Sequence, residues 1–378
     1  MIKYRGKMGM TGVQRPEKYT KKEITQGYLR DVRTKTAFLI VCAVMLIALV
    51  VYAVKIGTSD LSYSQIINYI LHPDDSWNST VVWDIRLPHI ASAIVAGAAL
   101  GVAGAVMQSV LKNPMASPFT LGVSNSAAFG AALAIMLGGG TILGSMSTTY
   151  PQISNEVLVT VLAFAFSMIS VSIIILLTKV MSASPETIVL SGMAITSIFT
   201  AGLSLMQYFA DDNSLALIVY WQFGSLDKLS WSDTGIIAGV FFAAMLFFIY
   251  KTWDYNSMEA GDDVARGLGV DIERTRLLGL VVSAILTAVT VSFTGIIGFI
   301  GLVAPHIVKK IVGNNFRYVL IGSVLIGALV LLVSNIVATY GFPMIINTSI
   351  PVGIVTSALG GPLFLAILLS TQRRKKGC

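Results

Sequence analysis

The side chains able to do chemistry are few in this 378-residue chain, and their spacing builds no reaction centre. The three histidines, His72, His89 and His306, fall in separate loops, with no H-E-x-x-H pair and no partners for a nucleophilic triad. No G-x-x-x-x-G-K-[ST] loop is present to cradle a nucleotide phosphate. Cys42 lies in an apolar run and Cys378 is the last residue, which argues against a disulfide framework or a cysteine metal site. Two groupings remain. Ser191, Thr196, Ser197, Thr200, Ser204 and Gln207 recur every three to five residues within an apolar segment. Such a face either lines a polar path or folds its hydroxyls back onto its own helix. The second grouping is the stretch Lys251 to Arg276, which holds ten charges; within it Asp262 to Leu268 reads as a short helix stopped by Gly269. It is either a solvated connector or a docking element for a partner that supplies energy.

The elements that position these residues are membrane helices. The chain is 55% hydrophobic and 12% charged, with a mean hydropathy of +0.78, against about 45–50% apolar and about 25% charged in a soluble domain. Spanning needs about 20 apolar residues. Segments of that order fall at Ala37–Val54, Pro88–Val110, Val123–Leu137, Val157–Val180, Pro185–Phe209, Gly235–Tyr250, Leu277–Thr294, Tyr318–Thr339 and Val352–Leu369. Between Arg276 and Lys309 lie 32 uncharged residues broken by Gly295, Gly298 and Gly301, which predicts a tenth, short helix from about Gly298 to Ile311. The expected fold is all-α: a polytopic bundle of ten transmembrane helices over residues 37–371, with short interfacial or re-entrant helices. A basic tail, 1–36, and a basic C-terminal tail, 372–378, flank it.

Charge orients the bundle. This threading places twenty-three Lys/Arg on the tail's side and three (Lys55, Arg86 and Lys228) opposite, so both termini are expected to be cytoplasmic. The tail alone carries the formal net charge of +7 and points to anionic lipid rather than nucleic acid. On the outer side, Leu61–Leu71 and Leu215–Leu226 read as interfacial helices, with Trp77, Trp83, Trp221 and Trp231 as an aromatic belt. GAALGVAGA, with Gly97, Gly101 and Gly104, has the small-residue spacing of closely packed membrane helices. No ionisable residue falls at mid-membrane, which weakens a proton- or sodium-coupled mechanism.

Several runs together resemble one family, the FecCD-type permease subunits of binding-protein-dependent ABC importers for iron-siderophore complexes, haem and vitamin B12. They are RLPHIASAIVAGAALGVAGAVMQSVLKNPMASPFTLGVSNSAAFGA from Arg86, WQFGSL from Trp221, GDDVARGLGV from Gly261, GIIGFIGLVAPHIVKKIVG from Gly295 and IPVGIVTSALGGPLF from Ile350. They occur in the expected order over roughly three quarters of the chain.

The resemblance implies a prokaryotic inner-membrane permease that does no chemistry and has no catalytic, cofactor or resident metal site. It implies two permease subunits, the second a copy or a paralogue, two copies of an ATP-binding subunit, and a periplasmic or lipid-anchored substrate-binding protein. Gly261, Ala265, Arg266, Leu268, Gly269 and Val270 would form the ATPase coupling element. Asn113, Pro114, Met115, Ser182, Ser184 and Pro185 would close the cytoplasmic end. Ser191, Thr196, Thr200, Ser204 and Gln207 would line the path, and Arg86 with His89 would meet the binding protein. Three positions depart from the family pattern: His89 replaces a common second arginine, Ser117 an acidic residue, and Tyr340–Ser349 lacks a basic one. A gradient-driven secondary carrier or channel is the rival reading.

Overall fold

The computed structural model describes residues 21–57, 61–138, 155–181, 185–343 and 348–362, with Leu365. Among them no strand occurs. In chain order the helices are α1 (Lys21–Lys55), α2 (Tyr63–Leu71), α3 (Trp77–Thr80), α4 (Leu87–Val110), α5 (Val123–Gly138), α6 (Asn155–Met181), α7 (Pro185–Phe209) and α8 (Asp212–Phe223). Then follow α9 (Trp231–Tyr250), α10 (Thr252–Glu259), α11 (Asp262–Gly267), α12 (Ile272–Thr294), α13 (Ile300–Val312), α14 (Phe316–Ile336) and α15 (Val352–Pro362). A π-helical turn, Val81–Arg86, joins α3 to α4.

Seven of these, α1, α4, α6, α7, α9, α12 and α14, are long and apolar enough to cross a bilayer. The segments expected at Val123–Leu137, Gly298–Ile311 and Val352–Leu369 form the shorter α5, α13 and α15, the last described to Pro362 and at Leu365. The basic segment before the first span is not all tail: from Lys21 it continues the helix of α1, with Lys35 paired to Asp31 one turn earlier at 2.6 Å.

Burial separates the centre from the rim. The apolar core of the stretch containing α4 is 83% buried, that of α1 only 11%. α4 is the axis, packed against α14, α12, α13 and α9, while α5 holds α6, α7 and α8. Its sequence explains this position. Lipid chains are as apolar as leucine, so helices associate in a membrane by close backbone approach and not by hydrophobic burial. A Cβ on Gly97 or Gly101 would overlap the Gly327 or Ser323 carbonyl of α14, and one on Gly104 the Gly301 carbonyl of α13.

The break between α12 and α13 lies where the sequence expects it, and two distant segments, bonded to each other, pack against it. Ser225 N–H donates to Thr294 O (2.9 Å) and Gly353 N–H to Gly224 O (3.2 Å). Gly295 and Gly353 let the carbonyls of Trp221 and Phe223 approach. The WQFGSL, GIIGF and IPVGIV runs thus form one junction, in which irregular backbone is buried in protein, as lipid requires.

At one end of the bundle Tyr255 of α10 is fully buried, its ring 4.7 Å from that of Phe316, and its hydroxyl has no hydrogen-bond partner among the described residues. Burial, assisted by the Asp254 charge, raises its pKa and keeps the phenol neutral. An unpaired buried hydroxyl costs about 1–3 kcal/mol. Tyr255→Phe is therefore expected to leave the melting temperature unchanged or raise it, whereas Tyr255→Ala, which empties the ring's space, should cost about 3–5 kcal/mol. Thermal unfolding in detergent checks both.

Candidate functional site: the α10–α11 platform

The charged stretch after α9 folds into two short helices on a glycine frame. Gly261 (φ +128°) starts α11 and Gly269 (φ +82°) turns the chain away from it. Asp271 then caps α12, its carboxylate accepting from Arg274 N–H at 3.0 Å. Between the glycines, Ala265 is fully buried, and its carbonyl accepts from Val270 N–H at 3.0 Å. Val264 and Leu268, four residues apart and hence on one helix face, are 49% and 56% exposed. Arg266, Gly267 and Gly269 are exposed as well. The short helix expected from Asp262 to Leu268 is present, and its residues divide: Ala265 is the anchor, while Val264, absent from the sequence-based set, joins Leu268 and Arg266 outside. An open cleft of about 490 Å³ lies beside it, lined by Trp253, Leu268, Val270, Arg274 and Leu278 among others.

Charges fasten the platform to the bundle. Asp262 forms an ion pair with Lys112 Nζ at 2.6 Å and accepts at 3.4 Å from the nearly buried Arg276, whose Nε–H donates to Val110 O at 2.9 Å. Glu259 accepts from Ser109 Oγ–H (3.0 Å) and pairs with Lys309 (3.7 Å). Asn256 Oδ1 accepts the first free N–H of α14, that of Phe316, at 2.8 Å. Burial opposes the charged form of Asp262, but the hydrogen bond and charge of Lys112, with the charge of Arg276, hold its carboxyl below the usual value. A depressed carboxylate pKa means that this contribution is complete above the ordinary value and is lost only as pH falls below it.

The turn expected to close this end follows directly. Met115 N–H donates to Asn113 Oδ1 (2.9 Å) and Ala116 N–H to Asn113 O (3.0 Å), an Asx-type turn. Met115 is exposed and Pro185 half-buried; Ser182 and Ser184 lie outside the described residues.

On α7 the expected path residues do not share one face. Ser191 is buried and Thr196 packs on Gly122, both turned into the protein. The helix is set against the Pro118–Leu121 turn, with Gly192 beneath the Thr120 carbonyl, so those two positions face inward. Thr200 and Ser204 are exposed and Gln207 is half-buried. Thr196, Ser197 and Thr200 donate to the carbonyls one turn back, of Gly192, Met193 and Thr196 (2.7–3.0 Å). The exposed Thr200 thus offers an oxygen rather than a free donor, and Asn125 Nδ2 already donates to it at 2.6 Å.

At the opposite end the arginine expected to dock a partner is turned inward. Arg86 is 3% exposed, and its Nη1 donates to the carbonyls of Val54 (2.9 Å) and Lys55 (3.3 Å), where α1 ends without partners of its own. It is a cap borrowed from another helix. Arg86→Met is expected to lower the stability of the detergent-solubilised protein by about 1–3 kcal/mol. The affinity of its folded fraction for the binding protein should stay unchanged, as surface plasmon resonance would show. His89 Nε2 sits 2.9 Å from the Asp227 carbonyl oxygen, a backbone contact and not a carboxylate pair. Nearby, Trp231 donates to Trp83 O (2.7 Å) and Trp83 to Tyr69 O (2.9 Å), tying α9, the π-helical turn and α2 together.

Comparison with known proteins fits this architecture. The profile of the FecCD transport family matches residues 45–370. A Methanocaldococcus jannaschii protein, provisionally named as an ABC transporter permease, is 43% identical over 352 residues, covering 93% of this chain and 99% of that one. The hemin transport system permease protein of Yersinia pestis is 31% identical over 335 residues, covering 88% and 96%. A solved chain in an inward-facing conformation, provisionally described as a metal-chelate type ABC transporter, superposes with a TM-score of 0.75 at 27% identity, covering 89% of this chain and 99% of that one. The chain belongs to the FecCD transport family and is a multi-pass membrane permease of the ABC importers, a transport protein and not an enzyme.

Proposed function

We propose that two permease subunits, this chain and a copy or paralogue, enclose a path across the cytoplasmic membrane for a bulky metal chelate: an iron-siderophore complex, haem or cobalamin. In this reading the chain crosses ten times, the three short helices α5, α13 and α15 included, and both termini are cytoplasmic, a placement that the sorting of Lys and Arg supports. An extracytoplasmic binding protein delivers the cargo. Two ATP-binding subunits seat against α11 and shift the equilibrium between outward and inward states. The exposed residues of α7 form part of the path, and the Asn113 turn helps to close it.

The observation that carries this reading is the build of α11: Val264 and Leu268 stand out to solvent on a helix whose Ala265 is buried and whose first turn is tied down by Asp262. An apolar pair on a fixed base suits an interface, whereas a mere connector gains nothing from exposing it. Reconstitution into vesicles with the ATPase and binding protein, using a panel of ferric siderophores, haem and cobalamin, tests it. ATP-dependent uptake of one class is expected. Uptake down a gradient without ATPase and ATP would instead identify a self-sufficient carrier.

A further inference from the structure

We propose that Asp262 is a positioning residue that transmits the movement of α11 to the Asn113–Ser117 turn, by bridging Lys112 and Arg276; this rests on the coupling reading above. Four observations converge on the end of α4. Glu259 is held by Ser109, and Arg276 grips the Val110 carbonyl. Lys112 reaches Asp262 at 2.6 Å, and Arg276 approaches the other oxygen of the same carboxylate at 3.4 Å. The platform thus grips the end of α4 and the turn that follows it, Ser109 to Lys112, and the next residue in the chain is Asn113.

The backbone at Lys112 adds a separate argument. Its φ is +48°, a left-handed conformation shared among the described non-glycine residues only with Phe299. A side chain there costs about 1–2 kcal/mol relative to a right-handed residue, and glycine or asparagine fits better. A lysine at that position meets no backbone need, and what it contributes is the ion pair. The pair also has leverage. The carboxylate sits in the first turn of α11, three residues before the buried Ala265, so a tilt of α11 about that anchor displaces Asp262 and pulls on Lys112. Arg276 fixes the same carboxylate to α12, so α4 and α12 receive the displacement together.

The test uses the full complex in vesicles, with ATP hydrolysis and cargo uptake measured separately. Asp262→Asn is expected to leave ATP hydrolysis within about twofold of wild type and to cut uptake per ATP about tenfold, a coupling loss in the ordinary range for linked sites. Lys112→Met, at a more exposed position, should do the same and serves if the Asp262 variant does not assemble. A pair of cysteines, Lys112→Cys with Asp262→Cys in a background lacking Cys42 and Cys378, supplies the decisive arm. As free thiols it should be uncoupled; bridged by a short bifunctional thiol reagent, it should regain at least about half of the lost uptake per ATP. Overturning results are an unchanged uptake-to-hydrolysis ratio in Asp262→Asn and Lys112→Met, equal loss of both activities, or a bridged pair no better coupled than the free thiols. A wild-type complex that imports without ATP would remove the functional reading itself, whereas a coupled wild type with fully coupled variants removes only the bridge.

Discussion

Gly269→Pro is expected to abolish uptake while leaving the protein inserted and monodisperse. At this position φ is +82°, whereas a proline ring fixes φ near −65°. The substitution also removes the N–H that donates to Arg266 O at 3.0 Å. The turn after α11 must then be rebuilt, at a cost of about 3 kcal/mol or more by analogy with proline inside a helix. The damage stays local. Ala265 and Asp262 anchor the N-terminal part of α11, and a Cβ on Gly269 meets nothing within 4 Å. What is lost is the direction in which Leu268 points. Co-purification with the ATPase subunit should fall together with uptake, and unchanged uptake would sink the assignment of α11 to coupling. Gly269→Ala, which strains φ by about 1–2 kcal/mol without removing the donor, should fall between the two.

The largest effect on the fold itself is expected from Gly104→Leu. The Gly301 carbonyl of α13 already occupies the space a Cβ would take, and the obstacle is backbone, which cannot rotate aside. Separating α4 from α13 would also loosen Gly97 and Gly101 from α14, so the cost should exceed the roughly 1–3 kcal/mol of ordinary overpacking. No monodisperse protein should elute from size-exclusion chromatography in detergent. Gly239→Leu in α9, where nothing lies within 4 Å, is the control and should elute like wild type. If the two behave alike, close approach at α4 is not what holds the bundle together.

Much of this architecture is legible in the sequence, because membrane helices are written in long apolar runs and close packing in glycine spacing. Gly97, Gly101 and Gly104 indicated α4 as a packing helix, and Gly295 with Gly298 marked the break before α13. The stop at Gly269 was readable from the need for positive φ. Three things were not readable, each for a physical reason. Helix length in space differs from the length of an apolar run, so α1 begins at Lys21, well before its hydrophobic part. Rotation about a helix axis depends on neighbours: Ser191 and Thr200, nine residues and hence half a turn apart, lie on opposite faces, and only the packing shows that Ser191 is the one turned inward. An arginine at an apparent loop boundary looks exposed until the carbonyls it caps, 31 and 32 residues earlier, are seen. The Asp262 bridge is of the same kind: its partners lie 150 residues upstream and 14 downstream, and no local pattern joins them.

The length of α1 has a further consequence. Its 35 residues make a rod of about 52 Å at 1.5 Å per residue, against a hydrocarbon layer of about 30 Å. The surplus belongs largely to the polar segment before Ala37, which carries Arg30, Arg33 and Lys35, and Lys35 lies over the ring of Tyr318 on α14 at 5.6 Å. The rod is packed along α14. A bilayer a few ångströms thicker would have to accommodate part of this charged collar, at a cost of fractions of a kcal/mol per Å. Membrane thickness and lipid charge therefore bear on the tilt that α1 itself adopts.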